Sequence, residues 1–176
     1  MGVDFIDVVF RLERRFGVRL DPDEHFYLLR TGWIHFLVWE KLHGRSPPCP
    51  DFSAVYRDVL RIAGHQPPDG FWRRLFRHRR VAQDAEFLRQ LDDLGYSRPP
   101  PDLTLAHHVA AWIAFTDRDR APQKERARPA AVPPRAEVWT QESVWEAIRK
   151  ELEGALSIDA ESITPESWLM EDLGAN

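Results

Sequence analysis

The sequence is poor in cysteine, with Cys49 the single one among 176 residues. One thiol excludes an intramolecular disulfide and any metal site built from several cysteines. No apolar run approaches the ~18–20 residues that a membrane-spanning helix needs. The opening residues, M-G-V-D, also lack the basic segment of a secretory signal. These absences predict a cytoplasmic protein without a membrane span.

Catalytic and metal-binding patterns are also not found. His107 and His108 are neighbours, so they face different directions on a helix, and no carboxylate or cysteine stands at ligand spacing. Cys49 lies between prolines with no recognisable base as its partner. We therefore expect no metal site, no catalytic residue and no enzymatic activity.

Charge and composition describe a folded, mildly acidic chain. Lys and Arg total 24 against 28 Asp and Glu, for a formal net charge of −4, and hydrophobic residues make up 43%. This apolar content suffices for a buried core and argues against global disorder. The acidity argues against nucleic-acid binding by the protein as a whole.

Proline and glycine divide the chain into helix-sized segments, and strand-like alternation is not found. The apolar residues recur at helical spacing, as in the first segment, where the predicted stripe is Phe5, Ile6, Val9, Leu12 and Phe16. We predict an all-α protein with helices near residues 3–16, 21–43, 51–62, 71–80, 83–94, 102–115 and 140–156. Residues 116–137 alternate charges with alanine and proline, which predicts a flexible linker.

The segment from Thr140 to Asn176 carries the most informative pattern. Its helix is followed by a long loop with isolated apolar anchors, and residues 171–176 read E-D-L-G-A-N. This segment resembles the first half of an acyl carrier protein. That family reads roughly E-D-L-G-A-D-S-L where its long loop approaches the serine that carries the prosthetic group.

The opposite end of the chain resembles the element that should follow. Residues 3–20 read V-D-F-I-D-V-V-F-R-L-E-R-R-F-G-V-R-L, similar to the family's second helix, S-L-D-x-(V/I)-E-L-V-x-x-L-E-E-x-F-G-I-x-I. Residues 103–113 read L-T-L-A-H-H-V-A-A-W-I and resemble its closing helix. The family's elements therefore occur in rotated order.

The resemblance implies a circularly permuted, acyl-carrier-like helical bundle with an inserted helical subdomain. The implied segments are 1–20 as the second-helix part, 21–101 as the insertion, 102–115 as the closing helix, 116–137 as the linker, and 138–176 as the first helix and long loop. A flexible joining segment between neighbouring chain ends is tolerated in such rearrangements.

The implied function is carriage of an acyl intermediate in fatty acid or polyketide biosynthesis, within lipid metabolism. The cofactor would be 4′-phosphopantetheine, attached by a phosphopantetheinyl transferase, and the partners would be acyl-chain-processing enzymes. A helix N-terminus suits the phosphodiester because its free N–H groups and dipole favour an anion. The flanking residues implied by the resemblance are Asp172, Leu173, Gly174, Asn176, Gly2, Val3 and Asp4. We expect the Asp172–Asn176 turn to lie beside Gly2–Phe5.

Two features depart from the family pattern. No serine stands between Asn176 and Val3, so the chain has no matched attachment residue, and Asn176 replaces the usual aspartate. The predicted docking residues on the second helix are of mixed charge, where a fatty-acid carrier is acidic. These docking residues are Asp4, Asp7, Arg11 and Arg14.

Other interpretations stay open. The chain could join the tail of one tandem carrier to the head of the next, with the halves pairing within a chain or in a domain-swapped dimer. It could instead be a non-carrying helical interaction module whose basic run, Arg73–Arg80, contacts an acidic protein or nucleic acid. That run could also be a solvated helix face, and no recognised nucleic-acid motif accompanies it.

Overall fold

The computed structural model describes residues 3–45, 47–65, 79–123, 139–170 and 172–174. Within them lie two 3₁₀ helices, Pro22–Leu29 and Ala160–Ser162, and six α-helices. The α-helices are α1 Val3–Phe16, α2 Thr31–Leu42, α3 Phe52–Ile62, α4 Ala85–Asp93, α5 Ala106–Thr116 and α6 Gln141–Leu156. Pairing between extended residues in this part of the chain is limited to isolated antiparallel bridges. The prediction of an all-α protein is confirmed for the described residues, and none of their helices is long and apolar enough to cross a bilayer.

The chain divides into two compact units. Unit 1 joins Met1–Pro47 to Arg126–Asn176, and unit 2 is Pro48–Glu125. These bounds differ from those of the predicted segments: residues 21–47 lie in unit 1, and the helix predicted at 102–115 lies in unit 2. The reason is packing, because α2 lies against α6 whereas α5 lies against α3. The predicted linker, 116–137, begins with the last residue of α5 and a turn, and its residues 124–137 lie outside the described part.

Unit 1 is built from helices contributed by both halves of the sequence. α1 packs against α6, and α6 packs against α2. α6 begins after a cap at Thr140, whose Oγ1 accepts a hydrogen bond from Ser143 N at 3.1 Å. The buried side chains of these three helices are apolar almost throughout: Phe5, Val8, Leu12, Phe16, Trp33, Ile34, Leu37, Val38, Leu42, Val144, Ala147, Ile148 and Leu152.

The core stripe of α1 differs from the predicted one. Val8 is buried, whereas Ile6 is 44% exposed and Val9 is half-buried. Positions 5, 8, 12 and 16 fall on one face of a helix with 3.6 residues per turn, and position 6 falls outside it. The apolar pattern of α1 is wide enough to allow either choice, and packing against α6 selects one.

The helix predicted for residues 21–43 is two helices in the structure. Arg30 lies between them in an extended conformation, with φ −134° and ψ 134°. It forms an antiparallel bridge with Trp168, a residue far away in the sequence. The break therefore comes from a long-range backbone pairing rather than from a local helix-breaking residue.

A buried ion pair fixes α2 to the 3₁₀ helix Pro22–Leu29. Lys41 Nζ lies 2.6 Å from Glu24 Oε2, and their side chains are only 6% and 1% exposed. Lys41 Nζ also donates to Arg19 O at 2.6 Å, and Glu24 Oε2 accepts from Asp21 N at 3.0 Å. Removing two charges from water costs several kcal/mol per ion, which only well-placed partners can offset. The pair therefore holds the turn after α1 in one geometry.

Unit 2 packs α3 against both α4 and α5. Asp51 caps α3, since its Oδ1 accepts from Ala54 N at 3.1 Å. The start of α5 is held by a neighbouring segment: Ala106 N donates to Arg79 O and Val81 N donates to Thr104 O, each at 2.8 Å. Unit 2 thus contains α3, α4 and α5, and residues 79–81 pair with the backbone at the start of α5.

A polar network ends α5. Asp117 is buried, and its carboxylate accepts from both Ser97 N and Ser97 Oγ at 2.7 Å while pairing with Arg120. Beside it, Tyr96 Oη donates to Asp58 Oδ2 at 3.0 Å. Burial, reinforced by the hydrogen bond and charge of Asp58, raises the pKa of Tyr96 well above its ordinary value of 10.0.

We predict that Lys41→Met lowers the free energy of unfolding by about 3–5 kcal/mol, because it leaves the carboxylate of Glu24 buried without its cation. The double variant Lys41→Met/Glu24→Gln should recover much of this loss, since no charge remains and the amide oxygen still accepts from Asp21 N. Urea titration followed by circular dichroism measures both. Arg89→Ala, which removes exposed ion pairs with Glu86 and Asp93, is the control and should leave the midpoint nearly unchanged. A loss below about 1 kcal/mol for Lys41→Met would show that this pair is hydrated.

We predict that the stabilising effect of Tyr96 is lost as the pH rises above 10. The folded state keeps the phenol proton to higher pH than the unfolded chain does, so the unfolded state binds fewer protons and stability falls with pH. Urea unfolding of the wild type and of Tyr96→Phe, at about pH 8 and about pH 11, measures this. The wild type should lose more stability than the variant between the two values. An equal loss in both proteins would contradict the assignment.

Candidate functional site

The predicted attachment region consists of the end of the long loop and the start of α1. The structure describes Asp172, Leu173 and Gly174 and the backbone of α1 from Val3 onward. Met1, Gly2, Ala175 and Asn176, and the side chains of Val3 and Asp4, lie outside the described residues. The expected contact between the Asp172–Asn176 turn and Gly2–Phe5 therefore stays a prediction.

The long loop is anchored on the first turn of α2. Thr31 N donates to Ser167 O at 3.1 Å, Gly32 N donates to Pro165 O at 2.9 Å, and Leu169 N donates to Leu29 O at 2.9 Å. The first N–H groups of any helix lack partners within the helix, and Arg30 at the N-cap of α2 makes no side-chain cap. Carbonyl groups of the loop accept these hydrogen bonds instead, so the loop and α2 satisfy each other's backbone polar groups.

Side chains reinforce this anchoring. Thr31 is fully buried, and its hydroxyl donates to Thr164 O. Arg30 Nε donates to Glu166 O at 3.1 Å, and its guanidinium lies 5.8 Å from the ring centres of both Trp33 and Trp168. The two indole rings meet edge to face at 5.4 Å. The loop is therefore held by hydrogen bonds, an aromatic contact and a cation over two rings.

The D-L-G part of the motif forms the last turn of the loop. Asp172 Oδ2 accepts from Trp168 N at 2.7 Å, while Asp172 N donates to Trp168 O at 3.0 Å. Leu173 is buried, and Gly174 adopts φ +73°, which favours glycine because it has no Cβ. In this chain Asp172 caps its own turn, Leu173 anchors the turn in the core, and Gly174 redirects the backbone.

The start of α1 is fixed by its core face and carries charged residues on other faces. Phe5 is buried with its ring 5.8 Å from that of His25. Among the predicted docking residues, Asp7 and Arg11 form an ion pair at 2.6 Å, and Arg14 is exposed. The first N–H groups of α1 have no partners within the helix, so they could face a phosphate if a hydroxyl stood before them.

Sequence reasoning missed Thr31, Gly32 and Trp139. Gly32 lies inside an apolar helical pattern, a position where glycine often reports close backbone approach, and here Pro165 O would lie 2.8 Å from an added Cβ. Trp139 carries the guanidinium of Arg15 at 5.1 Å and packs against Phe16 at 5.1 Å. It borders an open groove of about 470 Å³ along α1 and α6. That groove mixes cations with carboxylates, such as Arg149 with Glu146 at 3.1 Å, so it offers no site of a single charge sign.

The other predicted sites add little. In the part of the chain that the structure describes, no group of three or more His, Cys, Asp or Glu side chains is placed to hold a metal ion. Cys49 is buried in unit 2. Of the basic run Arg73–Arg80, only Arg79 and Arg80 lie within the described residues, and Arg80 forms an isolated bridge with Leu105.

We predict opposite effects of alanine at two glycines of unit 1. Gly32→Ala should lower the free energy of unfolding by about 1–3 kcal/mol, because the new methyl group meets the backbone of Pro165 rather than a side chain that can move. Gly154→Ala, inside α6, should raise it by up to about 1 kcal/mol, because alanine favours the helix. There the nearest atom belongs to the flexible end of Arg11 at 3.1 Å.

Urea titration measures both changes, and hydrogen exchange at the Leu169 N–H reports whether the loop has loosened. Exchange should quicken in Gly32→Ala and stay slow in Gly154→Ala. Unchanged exchange in Gly32→Ala would contradict the anchoring of the loop on α2.

No protein-family model, no curated protein and no solved structure matches the chain.

Proposed function

We propose that unit 1 is an acyl-carrier-like module that presents a phosphopantetheine-tethered acyl intermediate to partner enzymes, in a form whose attachment serine is missing from this chain. The observation that carries the proposal is the packing of α1 against α6 within one unit. These two helices contain the residues that resemble the second and first helices of a carrier. A chance resemblance at both ends of the chain would not require the two ends to fold together.

The order of elements in unit 1 supports the same proposal. The order is taken from α6 to the end of the sequence and then on from its beginning. In that order, unit 1 contains a long helix, a long loop, α1, the short 3₁₀ helix Pro22–Leu29 and α2. A carrier has a first helix, a long loop, a second helix, a short third helix and a closing helix. In this proposal α2 replaces residues 102–115 as the closing helix, and Pro48–Glu125 is the insertion.

The chain lacks a hydroxyl at the position where a carrier holds its prosthetic group. When the pattern S-L-D-x-(V/I)-E-L-V is laid on Val3-Asp4-Phe5-Ile6-Asp7-Val8, the serine column falls on Gly2. Glycine has no nucleophilic oxygen, so a transferase has nothing to modify there. The chain as written should therefore not be modified at this position.

Partner enzymes would meet the start of α1, next to the end of the loop. The proposed docking residues are Asp4, Asp7, Arg11 and Arg14. Since Asp7 and Arg11 pair with each other, their charges largely cancel. The first half of α1 is thus less acidic than a fatty-acid carrier would require, and Arg14 adds positive charge.

We predict that a rearranged chain with a restored serine accepts phosphopantetheine. In it, residues 126–176 precede one serine, which precedes residues 3–125. Met1 and Gly2 are left out, and every other residue is kept. Incubation with coenzyme A and a promiscuous phosphopantetheinyl transferase should add one phosphopantetheine, seen by intact-protein mass spectrometry. The native chain and a matched rearranged chain with alanine at the new position should gain nothing.

The outcome also separates the alternatives. If the serine chain folds, as judged by circular dichroism, and still gains nothing, the carrier proposal is wrong. If in addition the native chain binds nucleic acid in a salt-sensitive way, the interaction module is the better interpretation. Modification of the alanine chain would show that another hydroxyl is being used.

A further inference from the structure

Unit 2 contains a cavity of about 410 Å³ beside the C-terminal end of α5. Small-molecule sites have volumes in this range, and they combine an apolar wall with a few polar groups that converge on the ligand. This cavity has both kinds of lining. Its polar side chains are Asp58, Tyr96, Asp117 and Arg120, and its apolar side chains include Leu94 and Pro122.

The cation that faces Asp117 comes from the solvent side of the cavity. The side chain of Asp117 is only 1% exposed, whereas that of Arg120, its ion-pair partner, is 68% exposed. Arg120 Nη2 also donates to Ser97 Oγ at 3.3 Å. An ion pair that involves so exposed an arginine contributes little to stability. The wall beside Asp117 therefore accepts a guanidinium group, and the one that it holds is replaceable at low cost.

Asp58 supplies a second carboxylate that has acceptor positions left. Among the described residues it accepts two hydrogen bonds, from Tyr96 Oη at 3.0 Å and from Arg61 Nη2 at 2.9 Å. A carboxylate is able to accept about four. Arg61 is largely exposed and lies outside the cavity lining. The two carboxylates thus belong to the cavity wall, and the two arginines that balance them face water.

Two further observations indicate a cation with an apolar part. Burial, followed by the hydrogen bond and charge of Asp58 and by the charge of Asp117, raises the pKa of Tyr96 above its ordinary value of 10.0. Arg61 lowers this pKa by less than either carboxylate raises it, so the cavity presents negative charge to the phenol. Leu94 is 43% exposed beside the cavity, and an alkyl chain in the cavity would cover it.

We propose that this cavity, named here the Asp117 cavity, binds an alkylguanidinium, which is a guanidinium head group on a short apolar chain. The head group replaces the guanidinium of Arg120 against Asp117, and its other N–H groups donate to the remaining acceptor positions of Asp58. The alkyl chain packs on Leu94 and Pro122. Binding thus exchanges a weakly held cation of the chain for a cation of the ligand and removes apolar surface from water. Because the cavity belongs to unit 2, the proposal is independent of the carrier function proposed for unit 1.

The test uses the intact, isotopically labelled chain and two probes of the same shape, N-butylguanidinium and the uncharged N-butylurea. Each probe is titrated while the backbone N–H signals of Gly95 and Ser97 are followed by nuclear magnetic resonance. Butylguanidinium should bind saturably with a Kd of about 1 mM or tighter, as expected for so small a ligand. Butylurea should bind roughly tenfold more weakly, because its hydrogen bonds to the carboxylates are not assisted by charge.

Two substitutions should change the affinity for butylguanidinium in opposite directions. Asp58→Asn should weaken binding roughly tenfold, because it removes a negative charge while its amide oxygen still accepts from Tyr96. Arg120→Gln should strengthen binding roughly threefold, because the competing guanidinium is gone. Arg89→Gln removes an exposed arginine outside the cavity lining and is the matched control, which should leave the affinity unchanged. Urea midpoints show which variants are stably folded, and the comparison of the two probes on the wild type decides the proposal even if a variant is not.

Other results would overturn the proposal. These are the absence of signal shifts up to about 10 mM butylguanidinium, equal binding of butylurea, and binding that Asp58→Asn leaves intact. Weaker binding to a folded Arg120→Gln variant would contradict the exchange of one guanidinium for another. A capped tripeptide with arginine between two alanines separates the sources of the head group. Tighter binding than that of butylguanidinium assigns it to an arginine of another protein, and weaker binding assigns it to a small molecule.

Discussion

The architecture of unit 1 depends on which groups accept hydrogen bonds from the first backbone N–H groups of α2. The first N–H groups of a helix need acceptors, and in α2 these are carbonyls of the loop after α6: Ser167 O for Thr31 N and Pro165 O for Gly32 N. These hydrogen bonds thereby join the early and late parts of the sequence. They also hold Trp168 against Trp33, and so they determine the course of the loop up to the Asp172 turn.

Unit 2 solves the same physical problem in the same way. The start of α5 pairs with residues 79–81, through Ala106 N to Arg79 O and Val81 N to Thr104 O, and α5 packs against α3. In both units, backbone groups from another part of the sequence pair with the N-terminal end of a helix. The two units therefore share a local arrangement, although one is continuous in sequence and the other is not.

The features that the sequence predicted are those with a local cause. Helices were predicted to start near residues 51 and 140, and the structure shows caps there at Asp51 and Thr140. The predicted turn is found at Gly174, and each of these features follows from residues within a few positions. The extended residue Arg30 has a distant cause, the bridge to Trp168, which no local pattern reports.

In the carrier proposal, α2 takes the place that the sequence resemblance gave to residues 102–115, and the reason is related. Residues 31–39 and 104–112 share threonine, histidine and tryptophan at the same spacing. The sequence pattern therefore does not indicate which of the two helices packs against α6. Of the candidate site, the sequence indicated only the two segments that resemble a carrier protein, the end of the long loop and the start of α1. The loop anchors at Thr31 and Gly32 appear only once the loop and α2 are seen together.

The split composition of unit 1 has a consequence for how the protein is made. During translation, at roughly 5–20 residues per second, domains tend to fold as their residues emerge from the ribosome. Unit 2 is complete long before α6 is synthesised, whereas the core side of α1 has to remain without its partner helix until then. Nascent chains should thus expose the core-facing phenylalanines of α1 for much of their time on the ribosome. That segment is therefore expected to bind chaperones during synthesis.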